Sequence, residues 1–181
     1  MPAEYSFVSR WHLPAPAHRT WEELERRLRP AARPRADDTV WWPGVTVDMA
    51  PRRLVAGERL VLTVRSPLGY RLRLLLELTA VEPGRHLAAC SEGDLSGRGS
   101  VTIEGAGAEA SVAEFRWDVS TRRAWMNATA WLLRPAFERA HAAVMRRGET
   151  GLRAALAASG GSDPRNAGNP GIEAGEPLDA G

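Results

Sequence analysis

The feature that most constrains the fold is the order in which two hydrophobic patterns occur along the chain. A strand-like alternation of apolar and polar residues comes first, and a short helical stretch follows it. Several further alternating segments come next, and a long amphipathic helix ends the patterned part. Because successive strands joined by short turns form antiparallel sheets, this order predicts an α+β domain.

The alternation is clearest in residues 70–81, where one face is apolar and the other is charged or polar. The apolar face carries Tyr70, Leu72, Leu74, Leu76 and Leu78. The opposite face carries Arg71, Arg73, Glu77 and Thr79. Similar patterns predict strands at 5–13, 45–49, 60–64, 87–92, 100–104 and 113–119. We interpret Gly97-Arg98-Gly99 as a turn before one of these strands.

Two segments have helical spacing. The first covers about residues 20–28. The second is expected over residues 136–158, about 35 Å at the helical rise, with Pro135 in its first turn or at a kink. One stripe of this helix should face the sheet: Phe137, His141, Val144, Gly148, Leu152 and Ala155.

Composition narrows the class of protein. The chain is 44% hydrophobic and 25% charged, with a net charge of +2, and all 24 basic residues are arginines interleaved with acids. We therefore expect no nucleic-acid binding. The single cysteine excludes an internal disulfide framework, and no signal peptide or apolar run of membrane-spanning length is present. These features predict a cytoplasmic protein without integral membrane association.

The chain divides into two parts by composition. Residues 1–158 carry the patterned segments and are expected to form one domain. Residues 159–181 are rich in Gly, Pro, Asn and Asp and poor in apolar groups. Such a segment cannot offset its ordering entropy, so we predict a disordered tail.

Several segments, taken in order, resemble the START-like helix-grip superfamily, also called SRPBCC, and within it the polyketide cyclase/dehydrase branch. They are residues 11–17 with Trp21, the Trp-Trp-Pro-Gly-Val of 41–45, the glycine-bearing stretch 93–99, and the helix pattern 137–152. The resemblance covers about residues 5–156. The chain departs from it at residues 30–40, which are Pro-containing where relatives usually have a second short helix.

The resemblance implies a curved antiparallel sheet wrapped around the long C-terminal helix, with an apolar cavity between them. Proteins of this superfamily carry lipids, bind hormones or cyclise polyketides, so the fold does not decide the function. Our leading hypothesis is binding of a small hydrophobic molecule, lipid-like or polyketide-like. The alternatives are a polyketide cyclase/dehydrase and a partner-binding module with a filled core.

The cavity expected from this arrangement would have a volume of about 300–1,000 Å³, the range typical of small-molecule sites. Nine residues on the inward faces are predicted to bind the ligand: Tyr70, Leu72, Leu74, Phe115, Trp117, Phe137, His141, Val144 and Gly148. No metal or cofactor site is expected, because no His, Cys or carboxylate spacing suits one. The pattern assigns neither catalytic residues nor an oligomeric state.

Three features of this site have two interpretations each. His141 could hydrogen-bond a ligand or act as an acid or base, or it could be a satisfied buried histidine. Gly148 and Gly151 could make room for a ligand or allow close packing of the helix on the sheet. Trp41 and Trp42 could cover the mouth of the cavity or fill the core.

Overall fold

A single curved antiparallel sheet of seven strands and a long C-terminal helix make up most of the part of the chain that the computed structural model describes, residues 4–29, 41–121 and 124–160. Side chains are described for residues 4–29, 41–121 and 134–159. Residues 30–40, where the chain departs from the resemblance, and nearly all of the predicted tail at 159–181 lie outside the described residues.

The strands and helices follow the predicted order. They are β1 (Glu4–Leu13), α1 (Ala17–Leu28), β2 (Val45–Met49), β3 (Arg59–Arg65), β4 (Arg71–Glu82), β5 (His86–Gly93), β6 (Leu95–Gly105), β7 (Ser111–Thr121) and α2 (Ala124–Gly160). The order in the sheet is β1-β7-β6-β5-β4-β3-β2, so the first strand pairs with the last. The remaining pairings join strands that are consecutive in the sequence.

The predicted strand faces are confirmed in β4. Leu72, Leu74, Leu76 and Leu78 are buried on the concave side, whereas Arg71 and Arg73 are exposed. Strand β1 behaves in the same way, with Tyr5, Trp11 and Leu13 buried on the face that its alternation predicts. The concave face therefore forms from residues that a period-two pattern identifies.

Strand β6 begins earlier than predicted. Gly97-Arg98-Gly99 is part of this strand and is not a turn. Glycine is required there by close contacts with β7: a Cβ at Gly97 would lie 2.1 Å from the carbonyl oxygen of Asp118, and one at Gly99 would lie 1.9 Å from the ring of Trp117. The two glycines therefore mark close approach within a strand.

Helix α2 begins earlier than predicted as well. It has 37 residues and contains Pro135 in its interior, eleven residues after its start. Of the two positions predicted for Pro135, the first turn is therefore wrong, and a kink remains a prediction. The predicted stripe is confirmed, because Phe137, Val144, Leu152 and Ala155 are buried and His141 is half-buried.

Contacts from α2 to the edge strand β1 fix where the helix lies. The backbone N–H of His12 donates a hydrogen bond to Glu149 Oε1 at 2.9 Å. The guanidinium of Arg153, one helical turn later, donates to the carbonyl oxygen of His12. Side chains at i and i+4 of a helix thus bind both outward-pointing backbone groups of one residue on an open sheet edge.

Candidate functional site

A cavity of about 200 Å³ lies between the concave face of the sheet and α2. Strands β1, β2, β3, β4, β6 and β7 contribute to its walls, and α2 closes it from above. Most of the side chains that surround it are aliphatic or aromatic. The volume is smaller than the range expected from the sequence, because large aromatic rings occupy much of the space between sheet and helix.

Eight of the nine predicted residues line this cavity: Tyr70, Leu72, Leu74, Phe115, Trp117, Phe137, His141 and Val144. Gly148 is not among its lining residues. A Cβ at Gly148 would lie 2.6 Å from ring atoms of both Trp11 and Trp42, so this glycine accommodates tryptophan packing. The expectation that Gly148 borders the ligand space is therefore corrected.

The floor of the cavity includes the indole of Trp117. This residue pairs with Gly99 of β6 on one side and with Phe7 of β1 on the other. Its ring passes over Gly99, where any larger residue would collide with it. The glycine therefore lets a flat aromatic surface lie across the sheet beneath α2.

One end of the cavity is closed by the segment before β2. Trp42 lines the cavity, and its indole N–H donates a hydrogen bond of 2.8 Å to the carbonyl oxygen of Val144 on α2. Its ring also packs edge-on against Trp11, with centroids 5.2 Å apart. Trp42 thus borders the cavity and also packs against the core. Its position agrees in part with both predicted roles, covering the cavity and filling the core.

His141 is a polar group on the helix side of the cavity. Its imidazole stacks on Phe7 with ring centroids 4.1 Å apart and an angle of 15° between the planes. Burial lowers the pKa of His141 to about 4, so the ring is neutral at physiological pH. A neutral imidazole offers one N–H donor and one nitrogen acceptor.

Tyr5 of β1 is a second polar residue that lines the cavity. Its ring stacks on Phe7 at 5.8 Å and meets Phe137 edge-on at 6.1 Å. The hydroxyl oxygen is closed to solvent and has no hydrogen-bond partner among the described residues. Desolvation by burial raises the pKa of Tyr5, so the hydroxyl stays protonated.

Several cavity residues were not predicted from the sequence, among them Tyr5, Phe7, Leu62 and Val64. The alternation of β1 placed Tyr5 and Phe7 on the correct face. Their position in the site depends on the pairing of β1 with β7, where Phe7 lies opposite Trp117. A pairing between the first and last strands leaves no local signal in the sequence.

Two further observations concern the described residues only. No three His, Cys, Asp or Glu side chains lie together in a way that could hold a metal ion. No helix in this part of the chain is long and apolar enough to span a membrane.

Comparison of the backbone with solved structures gives several matches over most of the chain. A protein from Thermus thermophilus has a TM-score of 0.60 at 16% identity, covering 83% of this chain and 99% of its own. A START superfamily protein from Mycobacterium smegmatis has a TM-score of 0.55 at 11% identity, covering 85% and 98%. The chain has the START-like helix-grip fold.

A third match with this fold is the Zhui aromatase/cyclase from Streptomyces sp. R1128, with a TM-score of 0.53 at 18% identity, covering 92% of this chain and 99% of its own. No protein-family model and no curated protein sequence matches the chain. The helix-grip architecture implied by the resemblance noted in the sequence is confirmed.

Proposed function

We propose that this protein binds a small hydrophobic molecule in the cavity between the sheet and α2. The observation that carries the proposal is the cavity itself, whose walls are formed mainly by aromatic and aliphatic side chains. Water gains few hydrogen bonds in such a space, so an apolar ligand can replace it favourably. The resemblance noted in the sequence implies the same use of the START-like fold, which the chain shares with a START superfamily protein.

The size of the cavity restricts the ligand. An engineered apolar cavity of about 150 Å³ is large enough to bind benzene. A volume of about 200 Å³ therefore suits a molecule with one or two small rings, or a short alkyl chain. Between the two ligand classes expected from the sequence, a ring-containing, polyketide-like molecule fits better than a long-chain lipid.

A polyketide cyclase/dehydrase is the alternative function. The Zhui protein, which has the same fold, is named an aromatase/cyclase. His141 is the cavity residue best suited to act as an acid or base. A general base works best when its pKa lies near the working pH, whereas burial lowers the pKa of His141 to about 4. This favours binding over acid–base catalysis by His141.

The partner-binding alternative required a filled core. The cavity beneath α2 argues against it, because close-packed domains contain few voids larger than a water molecule. Cytoplasmic location and the lack of nucleic-acid binding remain predictions from the sequence.

The proposal is tested by titrating the protein with indane, a fused-ring hydrocarbon of suitable size, in an isothermal calorimeter. Ala140 is buried on α2 and lines the cavity, so Ala140→Leu should fill part of the space. We expect this variant to bind indane at least about 10-fold more weakly than the wild-type protein, because the ligand and the new side chain compete for one volume.

Ala154→Leu is the matched control, since Ala154 is exposed on the same helix. It should bind indane as the wild-type protein does. Absence of indane binding to the wild-type protein, or equal binding by Ala140→Leu, would contradict the proposed cavity site.

A further inference from the structure

The cavity contains two polar groups on one wall, and their accessibility differs. The wall is formed by Tyr5, Phe7 and His141, whose rings stack in succession across β1 and α2. The Tyr5 hydroxyl oxygen is closed to solvent and is therefore closed to an approaching ligand. His141 is half-buried and lines the cavity, so of these two groups it is the one that a ligand can reach.

Among the described residues that line the cavity, none is an acid that could balance a positive charge on His141. Its neighbours along the cavity side of α2 are Phe137, Ala140 and Val144, and the ring opposite it is Phe7. The cationic lining residue Arg116 is exposed and pairs with Glu114 through a 2.8 Å contact. A charged ligand in this cavity would lose its hydration without gaining a buried partner of opposite charge.

We propose that His141 selects an uncharged ligand with one hydrogen-bonding oxygen, such as a small cyclic ketone or phenol. The imidazole N–H donates to a ketone oxygen, or the bare ring nitrogen accepts from a phenol. Stacking on Phe7 holds the ring in one plane, so it acts as an oriented group in a space whose lining is mainly aromatic and aliphatic. This inference rests on the proposed binding function and adds the chemical class of the ligand.

The lowered pKa of His141 agrees with this assignment. Because the ring is neutral, it does not attract carboxylates or phosphates as an imidazolium would. A carboxylate that bound beside it would have to bring a proton into the cavity or remain without a counter-charge.

Three ligands that share one ring skeleton test the inference by calorimetry at pH 7: indane, 1-indanone and indane-1-carboxylate. Wild-type protein should bind 1-indanone about 3- to 10-fold more tightly than indane, the range expected for one net hydrogen bond. It should bind the carboxylate at least about 10-fold more weakly than indane.

Variants of His141 assign the preference to this residue. His141→Phe keeps a planar ring and should bind both neutral ligands with equal affinity. His141→Gln retains a hydrogen-bonding side chain and should restore part of the preference for the ketone. His18→Phe, at an exposed position on α1, should keep the wild-type preference in full.

The outcomes separate this inference from the proposed function. Equal binding of indane and 1-indanone by the wild-type protein would overturn the role of His141 while leaving the apolar site intact. A ketone preference that persists in His141→Phe, or tightest binding of the carboxylate, would also overturn it. If neither neutral ligand binds, the proposed function fails and the inference fails with it.

Discussion

Gly151 of α2 lies directly against the backbone carbonyl of Trp41. A Cβ built at Gly151 would lie 1.4 Å from that oxygen, which is far inside any tolerable contact. One turn earlier, Gly148 faces the rings of Trp11 and Trp42. The two glycines therefore allow the segment before β2 to pack against the helix, and this packing closes one end of the cavity.

This contact predicts that Gly151→Ala destabilises the protein, although alanine is intrinsically better in a helix by about 1 kcal/mol. The new methyl group must displace backbone at Trp41, and overpacking of this kind typically costs about 1–3 kcal/mol. Urea unfolding measures the difference. Gly105→Ala is the control, since a Cβ there has no neighbour within 4 Å, and its effect should be close to zero. Unchanged or increased stability of Gly151→Ala would contradict the packing described.

A second prediction compares two leucines on the same face of β4. Leu78 is 1% exposed and does not line the cavity, whereas Leu74 borders it. Leu78→Ala should cost about 2–5 kcal/mol of unfolding free energy. Leu74→Ala should cost less, because its side chain makes fewer contacts where it faces empty space.

Arg73→Ala, on the opposite face of β4, is the control and should change the unfolding free energy by less than about 0.5 kcal/mol. Denaturation of the three variants under one set of conditions gives the ranking. A larger loss for Leu74→Ala than for Leu78→Ala would indicate that the space beside Leu74 is filled.

A third prediction concerns acid sensitivity through His141. Its pKa is lowered by burial to about 4 in the folded protein, below the ordinary value near 6.5. Between these pH values the unfolded chain binds a proton that the folded protein does not. The contribution of neutral His141 to the free energy of unfolding is therefore complete above about pH 6.5. It decreases towards pH 4, by up to about 3 kcal/mol.

His141→Phe removes this proton uptake and should show a flatter stability profile between pH 7 and pH 5 than the wild-type protein. The measurement is urea unfolding at intervals of half a pH unit. Profiles of equal slope for the two proteins in this window would show that His141 is not buried as described.

A fourth prediction concerns Glu23, a buried carboxylate of α1. Burial alone would raise its pKa, but hydrogen bonds from Arg26 and Arg27 outweigh that effect and lower it. A lowered pKa gives stability that is present above the unfolded value of about 4.3 and is lost as the pH falls through the folded value. Glu23→Gln should therefore lose less stability than the wild-type protein between pH 5 and pH 3. An equal loss in both proteins would contradict the ion pairs.

The strand faces and the buried stripe of α2 could be predicted because each depends on local periodicity. Leu72 and Leu74 alternate with Arg71 and Arg73, so one face must turn inward. The start of α2 could not be predicted in the same way. Pro135 disfavours a helix interior locally, yet the helix runs through it, so the local preference of one residue does not decide where the helix starts.

The site was predictable where it lies on these periodic faces, and it was missed where distant segments meet. Phe7 lies at the cavity because β1 pairs with β7. This pairing places Phe7 opposite Trp117, which is 110 residues later in the sequence. Gly148 was misplaced because only the folded structure brings the rings of Trp11 and Trp42 against it. Glycine in a helix signals a close approach, but the sequence does not say what approaches.

The central claim is that a small hydrophobic molecule binds between the sheet and α2. The most direct test is an isotope-filtered NMR experiment on the methyl-labelled protein saturated with unlabelled indane. The account predicts nuclear Overhauser effects from indane protons to methyl groups of Leu72, Leu74 and Val144, which line the cavity. Contacts confined to exposed methyl groups such as those of Val8 and Leu68, or none to the protein, would contradict it.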